Sequence, residues 1–199
     1  GGARQLLDGY LKKVHEPIKN KDIKGIYSLL EEAVSKFNEL ETEQGTFPKI
    51  GIVGEIYVKY NSFGNLHVID WLIDQKVEVV VPPLLDFFTQ YFVNADADKR
   101  AHLSKAKFSD LYLKLIEIQA EKQIKKTEKI LSDYQYYTPF HSIRDLSNRA
   151  EQILSLANQF GEGWLIPGEI ATLAEEGVEN IVSLQPFGCI ANQVISKGV

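Results

Sequence analysis

The only cysteine of this chain, Cys189, lies between a short apolar run (Ile181, Val182, Leu184) and a second apolar pattern at Ile190, Val194 and Ile195. The first reads as a buried strand bounded by Pro186 and Gly188, and the second as the start of a helix. A thiol at such a handover sits at the carboxyl edge of an α/β sheet, where ligands bind. It would also feel the positive end of the helix dipole, which favours a thiolate. The plain reading of the same residue is a small buried apolar side chain.

A second set of candidates leaves an earlier strand. Lys49-Ile-Gly-Ile-Val-Gly-Glu-Ile56 reads as a buried first strand, followed by a polar-aromatic loop from Tyr57 to Asn65. Glu55, Tyr57, Lys59, Tyr60 and Asn61 would stand at the carboxyl end of that strand, which makes them candidate cleft residues. Asp86 follows the next strand as a helix-start carboxylate that complements the dipole. Glu162 and Trp164 are expected to cap and pack. The four histidines, His15, His67, His102 and His141, show no metal-ligand spacing. A Cys-His hydrolase with His67 or His141 as base is formally open. The glycines make no nucleotide cradle: Gly51 and Gly54 fall inside the strand, Gly161 to Gly168 lacks dinucleotide-fingerprint spacing, and no Gly-Lys-Ser/Thr occurs.

The elements that must carry these residues alternate in an α/β pattern. Residues 3–44 predict two helices, the first ended by Pro17 and the second running through Ile26, Leu30, Val34 and Phe37. After the turn Gln44 to Pro48 and the first strand comes a helix with Leu66, Ile69, Leu72 and Ile73 inward, then a second strand, Val77–Val81. Strand, helix and strand make one βαβ unit with parallel strands. Leu84–Val93 predicts a buried helix, Asn94–Asp98 a mobile loop, and about Lys107–Asp133 a long helix with Phe108, Leu111, Leu115, Ile118 and Ile124 on one side. Further helices are expected over about Ser142–Gln159 and after Pro167-Gly168, the latter capped by Gly177. The expected organisation is a helical lead-in (1–44), a first βαβ lobe (45–95), a helical insertion (96–160) and the truncated start of a second α/β lobe (161–199).

Apolar residues at 44% and charged residues at 25% fit a globular chain long enough to bury a core. A net charge of −5 argues against a duplex-binding surface. No apolar run is long enough to span a bilayer, and the expectation is no membrane association. A single cysteine excludes an intrachain disulfide, so the expected localisation is cytoplasmic. The Gly-Gly start, the lack of Met and the stop at Gly198-Val199 within a helix suggest a fragment of a longer protein.

Four stretches together resemble a known group: Gly51 to Asn61, Val79-Val-Val-Pro-Pro-Leu-Leu-Asp86-Phe, Gly161-Glu-Gly-Trp164 and Gln185-Pro-Phe-Gly-Cys189-Ile-Ala-Asn192. They are similar to the C-terminal region of the large CoA-substrate-specific enzyme activases, which are related to 2-hydroxyacyl-CoA dehydratase and benzoyl-CoA reductase subunits. The similarity covers about residues 45–199. It implies Rossmann-like or flavodoxin-like lobes with parallel strands and a helical insertion. It also implies an anaerobe-type redox protein in which ATP-driven electron transfer serves a CoA-ester dehydratase. By position, Cys189 matches a metal ligand of an iron-sulfur cluster held between lobes, with Glu55, Tyr57, Lys59 and Asn61 lining the same cofactor-binding cleft. A 4Fe–4S cluster takes about four thiolates, so the expectation is a cluster in the full-length parent and none in this fragment. The partners implied are other domains of the parent chain or a dehydratase-type subunit. The alternative reading is a non-catalytic interaction module that has kept the fold and lost the cluster.

Overall fold

The computed structural model describes residues 2–43, 45–105 and 109–198. Phe108 and the expected helix start at Lys107 lie outside the described residues, as does Gln44 of the expected turn. The described residues form two compact units, one from residues 1–45 and 118–140, the other from 46–117 and 141–199. The units follow other lines than the four segments read from the sequence, because the long helix is divided between them.

The first unit is helical. Helix α1 (Gly2–Lys13), the short α2 (His15–Lys19) and α3 (Ile23–Asn38) share it with the later part of α7 (Ser109–Leu131). Pro17 does not end the first helix as expected. It sits within α2, whose opening turn needs no N–H from it. Asp22 caps α3 by accepting from the Gly25 N–H at 2.9 Å. Tyr27 donates to Gln123 Oε1 at 2.8 Å, with Lys126 Nζ over its ring, and Asn38 bridges to the Asp133 carbonyl and the Gln135 N–H.

The second unit is α/β. Strands β1 (Lys49–Gly54), β2 (Glu78–Val80) and β3 (Asn180–Leu184) form a parallel sheet in the order β2-β1-β3. Parallel pairing needs crossovers. Helices α4 (Ile56–Tyr60) and α5 (Val68–Asp74) connect β1 to β2, while α6 (Leu85–Arg100), α7, α8 (Ile143–Glu151) and α9 (Leu165–Glu175) intervene before β3. Helix α10 (Ile190–Ile195) follows it. This is the α/β, Rossmann-like or flavodoxin-like class that the sequence implied, with all strands parallel. Val53, Ile166, Leu173 and Val178 pack under the sheet, and a second cluster joins Val93, Ala97, Leu146, Ala150, Leu156, Trp164 and Leu165.

Several expected boundaries move, each for a local reason. The loop from Tyr57 begins instead as α4, because Glu55 caps it and Glu162 receives its first N–H. Leu66 and Ile73 are exposed; Leu72 is the buried residue of α5. The Asn94–Asp98 segment is helical, not a loop: Asn94 accepts from Trp164 Nε1 at 2.6 Å, Asp98 from Gln159 at 3.0 Å, and Ala97 enters the core. Helix α6 buries Asp86, Thr89, Gln90, Val93 and Ala97 while Leu84, Leu85, Phe88 and Tyr91 stay exposed, the reverse of an apolar buried helix. The helix expected through Gln159 stops at Glu151, where Ser155 and Asn158 bond their own backbone instead. Helix α9 starts before Pro167, which occupies its first turn. Gly177, at φ 80°, closes α9 as expected: its N–H reaches the Ala174 carbonyl and Val178 reaches Leu173.

Candidate functional site at the carboxyl edge of the sheet

In the order β2-β1-β3, the chain leaves β1 toward one neighbour and reaches the other only after a long crossover. Between the carboxyl ends of β1 and β3 lies the topological switch point, the place where doubly wound folds bind ligands. Gly54 makes the junction tight. Its φ of +117° suits glycine, and a Cβ there would strike the Leu184 carbonyl. Directly beyond, the Glu55 N–H donates to that carbonyl at 2.9 Å.

The two strand ends are tied together by one carboxylate. Glu162 accepts from the Ile56 N–H at 2.7 Å through Oε1 and from Asn192 Nδ2 at 3.3 Å through Oε2. Asn192 Nδ2 also lies 3.2 Å from Cys189 Sγ. Cys189 itself is the N-cap residue of α10 and is partly exposed. Its sulfur therefore has an amide donor. Asn192 is 0% exposed, and its Oδ1 has no hydrogen-bond partner among the described residues.

One turn further into α4, the chain buries a charge pair. Lys59 Nζ donates to both oxygens of Glu169, at 2.8 and 3.0 Å, with the two residues only 3% and 1% exposed. Asp86, from the first turn of α6, is also buried, and Tyr60 donates its hydroxyl to the Pro82 carbonyl. Burial pushes the Asp86 carboxyl up to about 6, against the pull of Lys59 and His141. Burial likewise pushes Glu169 up to about 7; Lys59 opposes this, and the carboxylates of Asp86 and Glu162 add to it. The Tyr60 hydroxyl is raised by burial and by the acids Glu169 and Asp86.

Of the residues singled out in the sequence, Glu55 and Lys59 turn toward this edge. Glu55 spends one oxygen capping α4 on the Val58 N–H at 2.9 Å, and Lys59 is committed to Glu169. Tyr57 is exposed, while Asn61 closes a turn by accepting from Gly64 at 2.7 Å. His67 pairs with Asp70 and His141 with Glu176, and among the described residues the side-chain donor on the Cys189 sulfur is Asn192 rather than either candidate base. Sequence reasoning missed Glu169 and gave Asn192 no role. The signal for Glu169 was present: a lone acid within Leu165-Ile-Pro-Gly-Glu-Ile-Ala must be buried, and a buried acid needs a partner.

The residues present do not fit a 4Fe–4S cluster by themselves. Cys189 is the chain's one cysteine, and among the described residues no three His, Cys, Asp or Glu side chains are grouped to hold a metal. Among the described residues no helix is long and apolar enough to cross a membrane. No family model, curated protein or solved structure matches this chain.

Proposed function

We propose that the chain is a docking domain of a cytoplasmic redox protein of the CoA-substrate-specific enzyme activase kind, related to 2-hydroxyacyl-CoA dehydratase subunits. In this reading Cys189 is one thiolate offered to a cluster. The remaining ligands come from other domains of the parent chain or from a dehydratase-type subunit. One observation carries the reading: Cys189 is a partly exposed residue following β3, and the Asn192 amide donates to its sulfur at 3.2 Å. An amide N–H on a thiolate sulfur is also the kind of contact that tunes an iron-sulfur ligand. The order of the four similar stretches along residues 45–199 supports the same assignment.

A second reading keeps the docking and drops the cluster. It is favoured by the single cysteine and by an apolar recess of about 410 Å³ beside α10, lined by Phe160, Ile190, Val194 and Ile195. Anaerobic reconstitution of the full-length protein with iron and sulfide separates the two, comparing wild type with Cys189→Ser. Loss of bound iron and of the visible absorption in the variant supports the cluster reading. Equal iron content and equal spectra leave the interaction module.

A further inference from the structure

The sheet has two edge strands, β2 and β3, and they differ in what they leave open. In a parallel sheet the N–H and C=O of one residue point to the same neighbour, and successive residues alternate sides. The Glu55 N–H meets the Leu184 carbonyl, and β1 pairs with β3 without a break from Ile50 against Asn180 to Gly54 against Leu184. Asn180, Val182 and Leu184 therefore turn their backbone groups toward β1, while Ile181 and Ser183 turn theirs away. Among the described residues no hydrogen bond reaches those four outward groups. Short strands, prolines, charges and bulges are the devices that blunt an edge. Strand β2 has three residues, of which Glu78 bonds back to Pro48 and Val79 alone faces outward, and Pro82-Pro83 follows it. Strand β3, Asn-Ile-Val-Ser-Leu in unbroken register, has none of these protections beyond its length of five.

We propose that β3 is the contact of a homodimer: a second copy of this chain lays its own β3 antiparallel on the open edge, across a two-fold axis at Val182. Such a contact has to be self-complementary. Centred on Val182, Ile181 of each copy lies opposite Ser183 of the other. These are the residues with outward groups, so four hydrogen bonds form and no outward group of the strand is left over. A register centred on Ile181 or on Ser183 would instead set a strand residue against Glu179 or Gln185, outside β3. Nothing repels: β3 has no ionisable side chain, and Glu179 comes opposite Gln185. The exposed Val182 meets its own counterpart in a non-hydrogen-bonded pair, the closer kind, which suits β-branched side chains. Beyond the strand, Phe160, Phe187, Ile190 and Val194 are exposed as well. At about 150–250 Å² each, the two phenylalanines amount to about half of the roughly 800 Å² per copy that a stable interface takes. The dimer stands whether or not Cys189 meets a cluster.

Sedimentation equilibrium of the full chain tests the contact, and the wild type is expected to be dimeric at about 100 μM. Two variants are aimed at the edge. Ser183→Pro removes an outward N–H and spares the β1–β3 ladder, to which Ser183 gives no backbone group. Val182→Lys sets two like charges opposite each other across the axis. Each should weaken the dimer about tenfold or more with the circular dichroism unchanged. A wild type that stays monomeric overturns the proposal, and is the result expected if a strand of another protein fills the edge. A dimer that either folded variant leaves intact overturns it too. Should both variants fail to fold, amide exchange of the wild type at low and high concentration decides. Protection of Ile181 and Ser183 that rises with concentration upholds the strand contact, and protection independent of concentration refutes it.

Discussion

The helical unit and the sheet unit solve the burial problem in opposite ways. In the helical unit the apolar stripes are strong, yet among the described residues only Tyr10 and Val34 become buried. The stripes of α1 and α3, with Leu131 and Tyr134, leave an open apolar groove of about 460 Å³. Its polar ties include a part-buried one from Tyr10 to Glu32 and an exposed one from Lys13 to the same carboxylate. The sheet unit has the larger buried core, and inside it buries the Lys59 ammonium against the Glu169 carboxylate. Regular amphipathic helices therefore mark where stability is modest. Charges where hydrophobic residues were expected mark where the fold is under tension, and tension of that kind collects at functional sites.

The contrast can be broken most sharply at Lys59. Lys59→Met should cost the sheet unit about 3–5 kcal/mol in urea unfolding, since Glu169 would be left buried without its counter-charge. The double variant Lys59→Met with Glu169→Leu should recover most of that loss, and if it does not, the pair is more than a compensated burial. Gly54→Ala comes next. The backbone strain alone is worth about 1–3 kcal/mol, and the clash with the Leu184 carbonyl adds to it. Loosened exchange protection along β3 is the expected signature.

A pH series sharpens the comparison further. From pH 5 to pH 8 the sheet unit should lose stability, because Asp86 and Glu169 have folded-state values raised to about 6 and about 7. Asp86→Asn should reduce that loss in denaturation curves taken at each pH. The smallest effect is expected in the groove of the helical unit. Leu11→Ser removes an exposed side chain and should stay within about 0.5 kcal/mol, whereas Leu165→Ser, in the closed core, should cost several times more. Equal penalties at the two leucines would erase the distinction between the units.

Local signals reach a definite distance into this fold. The apolar runs at Ile50–Val53, Val79–Val81 and Ile181–Leu184 announced three strands, and their separations required crossovers and hence a parallel sheet. Only β1 is buried, while β3, expected to be buried, keeps its residues partly exposed as an edge strand. Gly177 announced the end of α9 because no other residue takes its backbone angle as cheaply. Asn94–Asp98 misled, since its composition suits a loop; what makes it helical is Trp164 and Gln159, more than sixty residues away. Lys59 was legible as a candidate by its place after β1, but its partner was not, because 110 residues separate it from Glu169.

Residue order by itself determined the three strands, the parallel α/β class and the position of the lone cysteine at a strand-to-helix handover, because each depends on periodicity and turn chemistry within a dozen residues. Tertiary structure alone decided that α6 buries Asp86, Thr89 and Gln90, that Glu162 joins the segments following β1 and β3, and that the Lys59 ammonium meets the Glu169 carboxylate out of water. Burial and charge pairing are set by which distant segments meet in space, and no local pattern along the chain encodes that meeting.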